Sequence, residues 1–347
     1  MFDSDKSNFV SFLKEFPYQI KECRDLFLNF SPELDVSNIN NIVFSGMGGS
    51  AISSDLFVSY TRNEIGVPCE VNREYSIPAF VNRNTLFIAS SYSGDTEETL
   101  IASGSALEKG AVFIGISSGG ELEKMCHRSN LLHIKIPPGL PPRQALGFLF
   151  FPLLFVFKRL GLFTIDDIEI EETERYLREF VQRYSPETSV GKNLANHVAQ
   201  TVYHTIPIIY TAVPYLMPVP MRWRNQFNEN AKVMAFSNVF PELNHNEIMG
   251  WEGPKDINRN FRVIILRDID ESERNKQRVR ITKSILKKQG TPVLELFAEG
   301  RYRLTRLFSL ISLGDWASYY LAMLNEKDPI KIGSIDLLKE ELNKVPL

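Results

Sequence analysis

Residues 86–99 read LFIASSYSGDTEET, an apolar run that suits a buried strand followed by a hydroxyl and glycine cluster that suits a turn into a helix. Ser91, Ser93 and Thr96 would stand at that turn. Hydroxyls there, with the unpartnered first N–H groups of a helix, make a place for an anion. The same residues read equally well as a helix cap, with Asp95 and Glu98 in D-x-x-E spacing and Ser93 as a further capping candidate. A second such turn, GMGGS at residues 46–50, follows another apolar run and contributes Gly49 and Ser50. With Ala51 it has G-x-G-x-x-A spacing, and Glu70 lies about 20 residues on, so a dinucleotide fold of an NAD-dependent oxidoreductase is one alternative. Against it, Ser50, Ser53 and Ser54 crowd the turn, and two hydroxyl-rich turns at neighbouring strand ends suit one phosphate monoester better.

Four further residues carry groups that such a phosphate ester could need. Arg143 lies in PPGLPPRQAL, Glu229 in NENAK, His245 between Asn244 and Asn246, and Lys339 in a charged C-terminal segment. A guanidinium keeps its charge and its fork of donors at any working pH. A carboxylate is a weak base near its ordinary pKa of about 4.3 and a better one where burial raises it. An imidazole donates and accepts protons near neutrality. Each also has a plainer reading: Arg143 pairs with an acid or caps a helix, Glu229 and Lys339 are solvated helix residues, and His245 is a surface side chain. Asn228 and Asn230 are poor choices for an ordinary helix interior and favour a site at Glu229. Asn196, His197, His204 and the three tryptophans read as structural.

The elements that would position these groups alternate. Amphipathic helices interrupted near Pro17 open the chain, and then strand, turn and helix recur: strands at 42–45, 69–71, 86–89, 112–116 and 131–136, with helices at 51–62, 96–109 and 119–125. Alternation with short turns implies a doubly wound parallel sheet whose ligands sit at the carboxyl ends of the strands. The acidic segment 166–184 reads as a packed linker helix. The second half repeats the pattern, with strands at 206–213, 263–266 and 293–296, helices at 190–201, 221–233, 271–288 and 304–325, and a closing amphipathic helix at 335–344. The expected division is an N-terminal domain over 1–160, a linker over 161–187 and a C-terminal domain over 188–347.

Bulk properties narrow the class. A net charge of -3 leaves no broad basic field, which argues against nucleic acid as partner. Cys23, Cys69 and Cys126 have no C-x-x-C spacing, so neither a zinc site nor a disulfide framework is indicated and a reducing cytoplasm is the expected home. The charged N-terminus does not read as a signal peptide. The apolar run 147–157 contains Pro152 and is far short of the roughly 20 residues of a membrane span, so it reads as a core or interface helix.

Taken in order, GMGGS, SYSGDT, PRQAL, NENAK and the following Asn244-His245-Asn246 resemble the bifunctional phosphoglucose/phosphomannose isomerases. The likeness runs through nearly the whole chain. It implies two sugar isomerase (SIS) domains, each a three-layer α/β/α unit, and reversible conversion of glucose 6-phosphate or mannose 6-phosphate to fructose 6-phosphate through an enediol, a route that needs no redox cofactor and no metal. By the resemblance Gly49, Ser50, Ser91, Ser93 and Thr96 hold phosphate, Arg143 stabilises the enediolate oxygens, Glu229 is the base, and His245 and Lys339 open the sugar ring. It also implies a homodimer in which the His reaches the neighbouring subunit's site, and the helix at 147–157 is compatible with such an interface. The family often carries a Thr seven residues before the terminal Lys; here Ile332 stands there, followed by Gly333 and Ser334. The rival to catalysis is an SIS protein that binds a sugar phosphate and regulates something else.

Overall fold

A computed structural model describes residues 3–342 and 344–345. The first half contains α1 (Phe9–Phe27), β1 (Asn41–Ser45), α2 (Gly48–Thr61), β2 (Cys69–Asn72), β3 (Thr85–Ser90), α3 (Glu97–Glu108), β4 (Val112–Ser117), α4 (Gly120–Arg128), β5 (Leu132–Lys135) and α5 (Leu146–Arg159). Its five strands are all parallel in the order β2-β1-β3-β4-β5. Every residue of β1 and β3 is buried, because helices cover both faces and the strands are accordingly apolar without alternation. The direction of winding reverses between β1 and β3, and the two hydroxyl-rich turns follow those two strands. That reversal is where open α/β sheets bind ligands.

The long helix α6 (Asp167–Tyr184) leads to α7 (Leu194–Val202), β6 (Ile206–Thr211), α8 (Pro218–Gln226), β7 (Phe236–Val239), α9 (Lys255–Asn258), β8 (Phe261–Arg267), α10 (Glu273–Lys288), β9 (Val293–Phe297), α11 (Arg303–Leu324) and α12 (Gly333–Leu342). This sheet is also parallel, ordered β7-β6-β8-β9. One apolar core joins the inner faces of both sheets: Phe44 and Ile88 from one and Ile209 and Ile264 from the other meet it through α1, α5, α6 and α11. The outer faces have separate, smaller cores around Phe87 and Phe113 and around Tyr210 and Val279. Helix α11 is long and apolar enough to cross a membrane, yet every residue from Leu304 to Met323 is buried in this core.

Three expectations change. Helix α1 runs without interruption through Pro17; Phe9, Leu13, Phe16, Ile20 and Cys23 are buried along one face on both sides of it, and packing of that face outweighs the lost hydrogen bond. Helix α5 is buried at every position from Leu146 to Phe157, with Phe57, Phe150 and Phe157 in edge contacts, so it is a core helix and offers no free face for a second copy. Strand β7 escapes the sequence pattern because FSNV has no apolar run and lies at the sheet edge with Phe236 half exposed.

Candidate functional site

The two turns at the switch point touch. Ser50 is buried and its Oγ accepts a hydrogen bond from the Tyr92 amide at 3.3 Å. Helix α2 begins at Gly48, earlier than the sequence pattern suggests, and its N-cap Met47 provides no side-chain cap. The Gly48, Gly49 and Ser93 amides find no acceptor among the described residues. Open amides at a helix start, beside a serine hydroxyl, are what an anion requires.

The capping alternative is not what forms. The N-cap of α3 is Thr96, again without a side-chain cap, and Asp95 instead accepts the Glu121 amide at 2.9 Å, bracing the start of α4. Ser91 holds the turn: its Oγ accepts from the Gly94 amide at 3.1 Å and the Thr96 amide at 3.4 Å and shares a proton with Thr96 Oγ1 at 2.8 Å. Whichever of the two hydroxyls donates in that pair, the other keeps its proton for a ligand. Ser93 is exposed and its Oγ accepts from the Asp95 amide at 3.2 Å. Gly94 is required where it stands. Its φ is +81°, and a Cβ would fall 1.8 Å from the Gly119 carbonyl oxygen.

Arg143 and Glu229 meet beside this turn. A Cβ on Gly49 would lie 2.7 Å from the Pro142 carbonyl oxygen, so only glycine lets the 3-10 turn Pro142–Gln144 seat against α2. Gly48, Gly49, Arg143, Arg222 and Glu229 line one cleft. Arg143 is buried, with Nε donating to Asn230 Oδ1 at 2.7 Å and Nη2 to the Pro329 carbonyl at 2.8 Å, while Nη1 stands 3.7 Å from Glu229 Oε2. Burial draws its pKa below the ordinary arginine value and the Glu229 carboxylate opposes that; an arginine so placed stays charged. Arg143 comes from the first half, and Glu229, Asn230 and Pro329 from the second.

Glu229 is presented by an unusual turn. Helix α8 stops at Gln226, and a single π-type turn, Phe227–Ala231, replaces the continuous helix expected to residue 233. Such turns bulge the backbone outward and recur at functional sites. Lys232 ends it in the left-handed region, φ +58°. The residue is exposed, but its ammonium sits among the carbonyls of Glu229 (2.5 Å), Pro329 (3.3 Å), Asn230 (3.4 Å) and Asp328 (3.5 Å). Desolvation first, and the Arg143 guanidinium next, pull its pKa down to about 8 against Asp328 and Glu229.

Sequence reasoning missed the supports. Arg222 holds Asp315 through two nitrogens at 3.1 and 2.6 Å and donates to the Arg143 carbonyl at 3.2 Å, and Gln226 donates to Asp315 at 2.8 Å. Burial raises the Asp315 pKa, with Arg222 and Gln226 opposing. The signal was in the spacing: Arg222, Gln226 and Asn230 recur every four residues and so share one helix face. His245 and Lys339 are not brought to Glu229. His245 is exposed at the end of a 3-10 turn after β7 and Lys339 lies on α12, which buries no residue; neither bonds to Arg143 or Glu229 among the described residues.

Comparison with known proteins gives a consistent picture. The family profile for the bacterial phospho-glucose isomerase C-terminal SIS domain matches residues 191–342. A bifunctional phosphoglucose/phosphomannose isomerase of Caldicellulosiruptor bescii is 42% identical over 329 residues, covering 95% of this chain and 97% of that protein. Another protein of that name, from Thermoplasma acidophilum, is 36% identical over 95% of this chain and 98% of its own length. Among solved structures, a hypothetical protein from Thermus thermophilus superposes with a TM-score of 0.75 at 17% identity, over 98% of this chain and 91% of that one, a likeness of fold.

Proposed function

The chain belongs to the bifunctional phosphoglucose/phosphomannose isomerase family, and from that membership and its cleft we propose that it interconverts glucose 6-phosphate and mannose 6-phosphate with fructose 6-phosphate. The observation that carries the reading is the meeting of a buried arginine and a carboxylate, 3.7 Å apart, beside open amides at the switch point. Gly49, Ser50, Ser91, Ser93 and Thr96 take the phosphate and fix the unreactive end of the sugar. Glu229 removes the C2 proton of the open-chain aldose and returns it to C1. The C1 oxygen gains negative charge as the enediolate forms and is protonated in turn, while the C2 hydroxyl loses its proton to become the ketone. No electron leaves the substrate. Arg143 meets the developing charge with a cation already oriented by Asn230 and Pro329, and such preorganised charge lowers a barrier without reorganisation.

His245 and Lys339 serve ring opening, with His245 supplied by a second copy in a homodimer. That assignment is supported by the exposure of His245, which makes no bond to its own chain's Glu229 among the described residues. The enzyme is placed in the cytoplasm, in keeping with its three free cysteines. Ile332 offers no hydroxyl where relatives of this kind often carry Thr, so mannose 6-phosphate is expected to be the poorer substrate.

The test is to incubate purified protein in EDTA with each sugar phosphate and follow fructose 6-phosphate. Product from both sugars supports the reading. Binding without product identifies a regulator, and wild-type turnover by Glu229→Gln removes Glu229 as the base.

A further inference from the structure

Two of the five histidines lie together, and no role assigned above uses either of them. Glu123 and His127 are one helical turn apart on α4, and His133 stands on the edge strand β5 opposite Gly115. One ligand atom from each of the three lies within 4.8 Å of the others. Four ligands at roughly 2.0–2.2 Å around a tetrahedral zinc stand about 3.4 Å from one another. His127 is exposed and free to turn inward by that difference.

The hydrogen bonds around His133 prepare it. Ser117 Oγ lies 2.8 Å from both the Gly119 carbonyl and His133 Nε2. A hydroxyl that gives its one proton to the carbonyl accepts from Nε2, and the proposal takes that arrangement. With the proton on Nε2, Nδ1 carries a bare lone pair. A hydrogen bond from one ring nitrogen that fixes the other for coordination is the usual arrangement behind a metal-bound histidine.

We propose that Glu123, His127 and His133 bind one divalent ion of the zinc class, tying α4 to the edge strand β5. Two imidazoles and one carboxylate suit zinc and its neighbours rather than magnesium or calcium, which select oxygen donors. The present cation on Glu123 is Lys135, whose Nζ is 2.9 Å from Oε1. Its side chain is 63% exposed, so it swings into solvent when a metal takes its place. The site has no part in the isomerase step.

The test is titration of zinc chloride into the full-length, EDTA-stripped and dialysed protein, in competition with a chromophoric chelator, with cobalt(II) absorption reporting the ligand set. One equivalent is expected to bind. His127→Ala and His133→Ala each weaken binding at least about tenfold, and Ser117→Ala weakens it about tenfold by freeing the tautomer. Lys135→Met tightens it. His127 is exposed, so its variant keeps the fold, checked by unchanged isomerase turnover. Absence of stoichiometric binding, or equal binding by wild type and His127→Ala, overturns the proposal.

Discussion

Replacing Asn230 by Ala tests how the cleft between Arg143 and Glu229 is held together. Asn230 is fully buried in the turn that carries Glu229, and it bridges Arg143 Nε at 2.7 Å and Ser318 Oγ at 2.9 Å. Loss of the charge-assisted bond costs about 1.5–3 kcal/mol. The Ser318 hydroxyl still donates to the Asp315 carbonyl at 2.7 Å, so the second loss is about 0.5–1 kcal/mol, and the total is about 2–4 kcal/mol. Arg143 retains its bond to Pro329 and its attraction to Glu229, so it remains in the cleft with its orientation loosened. A displacement of about 1 Å at such a group lowers turnover by about a hundredfold. If Arg143 acts as proposed, on charge that develops in the transition state, kcat should fall with KM little changed. Urea unfolding reads the stability loss as a lower midpoint at constant slope, and coupled-assay kinetics read the rest. Asn230→Asp, which keeps the acceptor and loses the donor, restores kcat more than stability. A destabilised Asn230→Ala protein with kcat within about twofold of wild type would refute the orienting role.

Glu229→Gln should lower kcat by about 10²–10⁴-fold. The Glu229 side chain is 31% exposed, so stability should stay within about 0.5 kcal/mol by urea titration. Gly94→Ala forces a Cβ against the Gly119 carbonyl at a positive φ; KM for glucose 6-phosphate should rise and stability fall by about 1–3 kcal/mol, and a wild-type KM would separate this turn from phosphate binding. Lys232, held at about 8 against an ordinary 10.5, is charged in both folded and unfolded chains below pH 8, so the cost of enclosing its ammonium is present in full there. Between pH 8 and 10.5 the folded state sheds that proton first, and stability rises with pH. The urea midpoint of wild type relative to Lys232→Met should climb through that window, and parallel profiles would show that Lys232 does not titrate there.

The parallel sheets were legible because β1, β3, β4, β6 and β8 are apolar runs set between helical repeats. Strand β7 was not, since an edge strand need not be apolar, and the continuity of α1 through Pro17 depends on contacts from α5 and α6 that no local pattern encodes. At the site, Gly49, Ser50 and the Ser91 turn could be placed from hydroxyl and glycine spacing. Asn230 looked like a poor helix former flanking Glu229, and only the fold reveals it as a buried bridge to Arg143. Lys232 was passed over because its enclosure is completed by carbonyls at 328–329, nearly a hundred residues away in the chain. His245 and Lys339 rest on motif likeness alone, as exposed side chains carry little local signal of purpose.

The single apolar layer between the two sheets bears on how such a chain can change over generations. A break in the gene between α6 and α7 would leave each product with an uncovered wall of phenylalanine and leucine, and neither product would inherit both Arg143 and Glu229. Shuffling one half against a distant homologue meets the same obstacle, because the inner faces of α5 and α11 must be exchanged in register. The halves are therefore bound to a common lineage, and substitutions on one side of the layer are expected to be answered on the other.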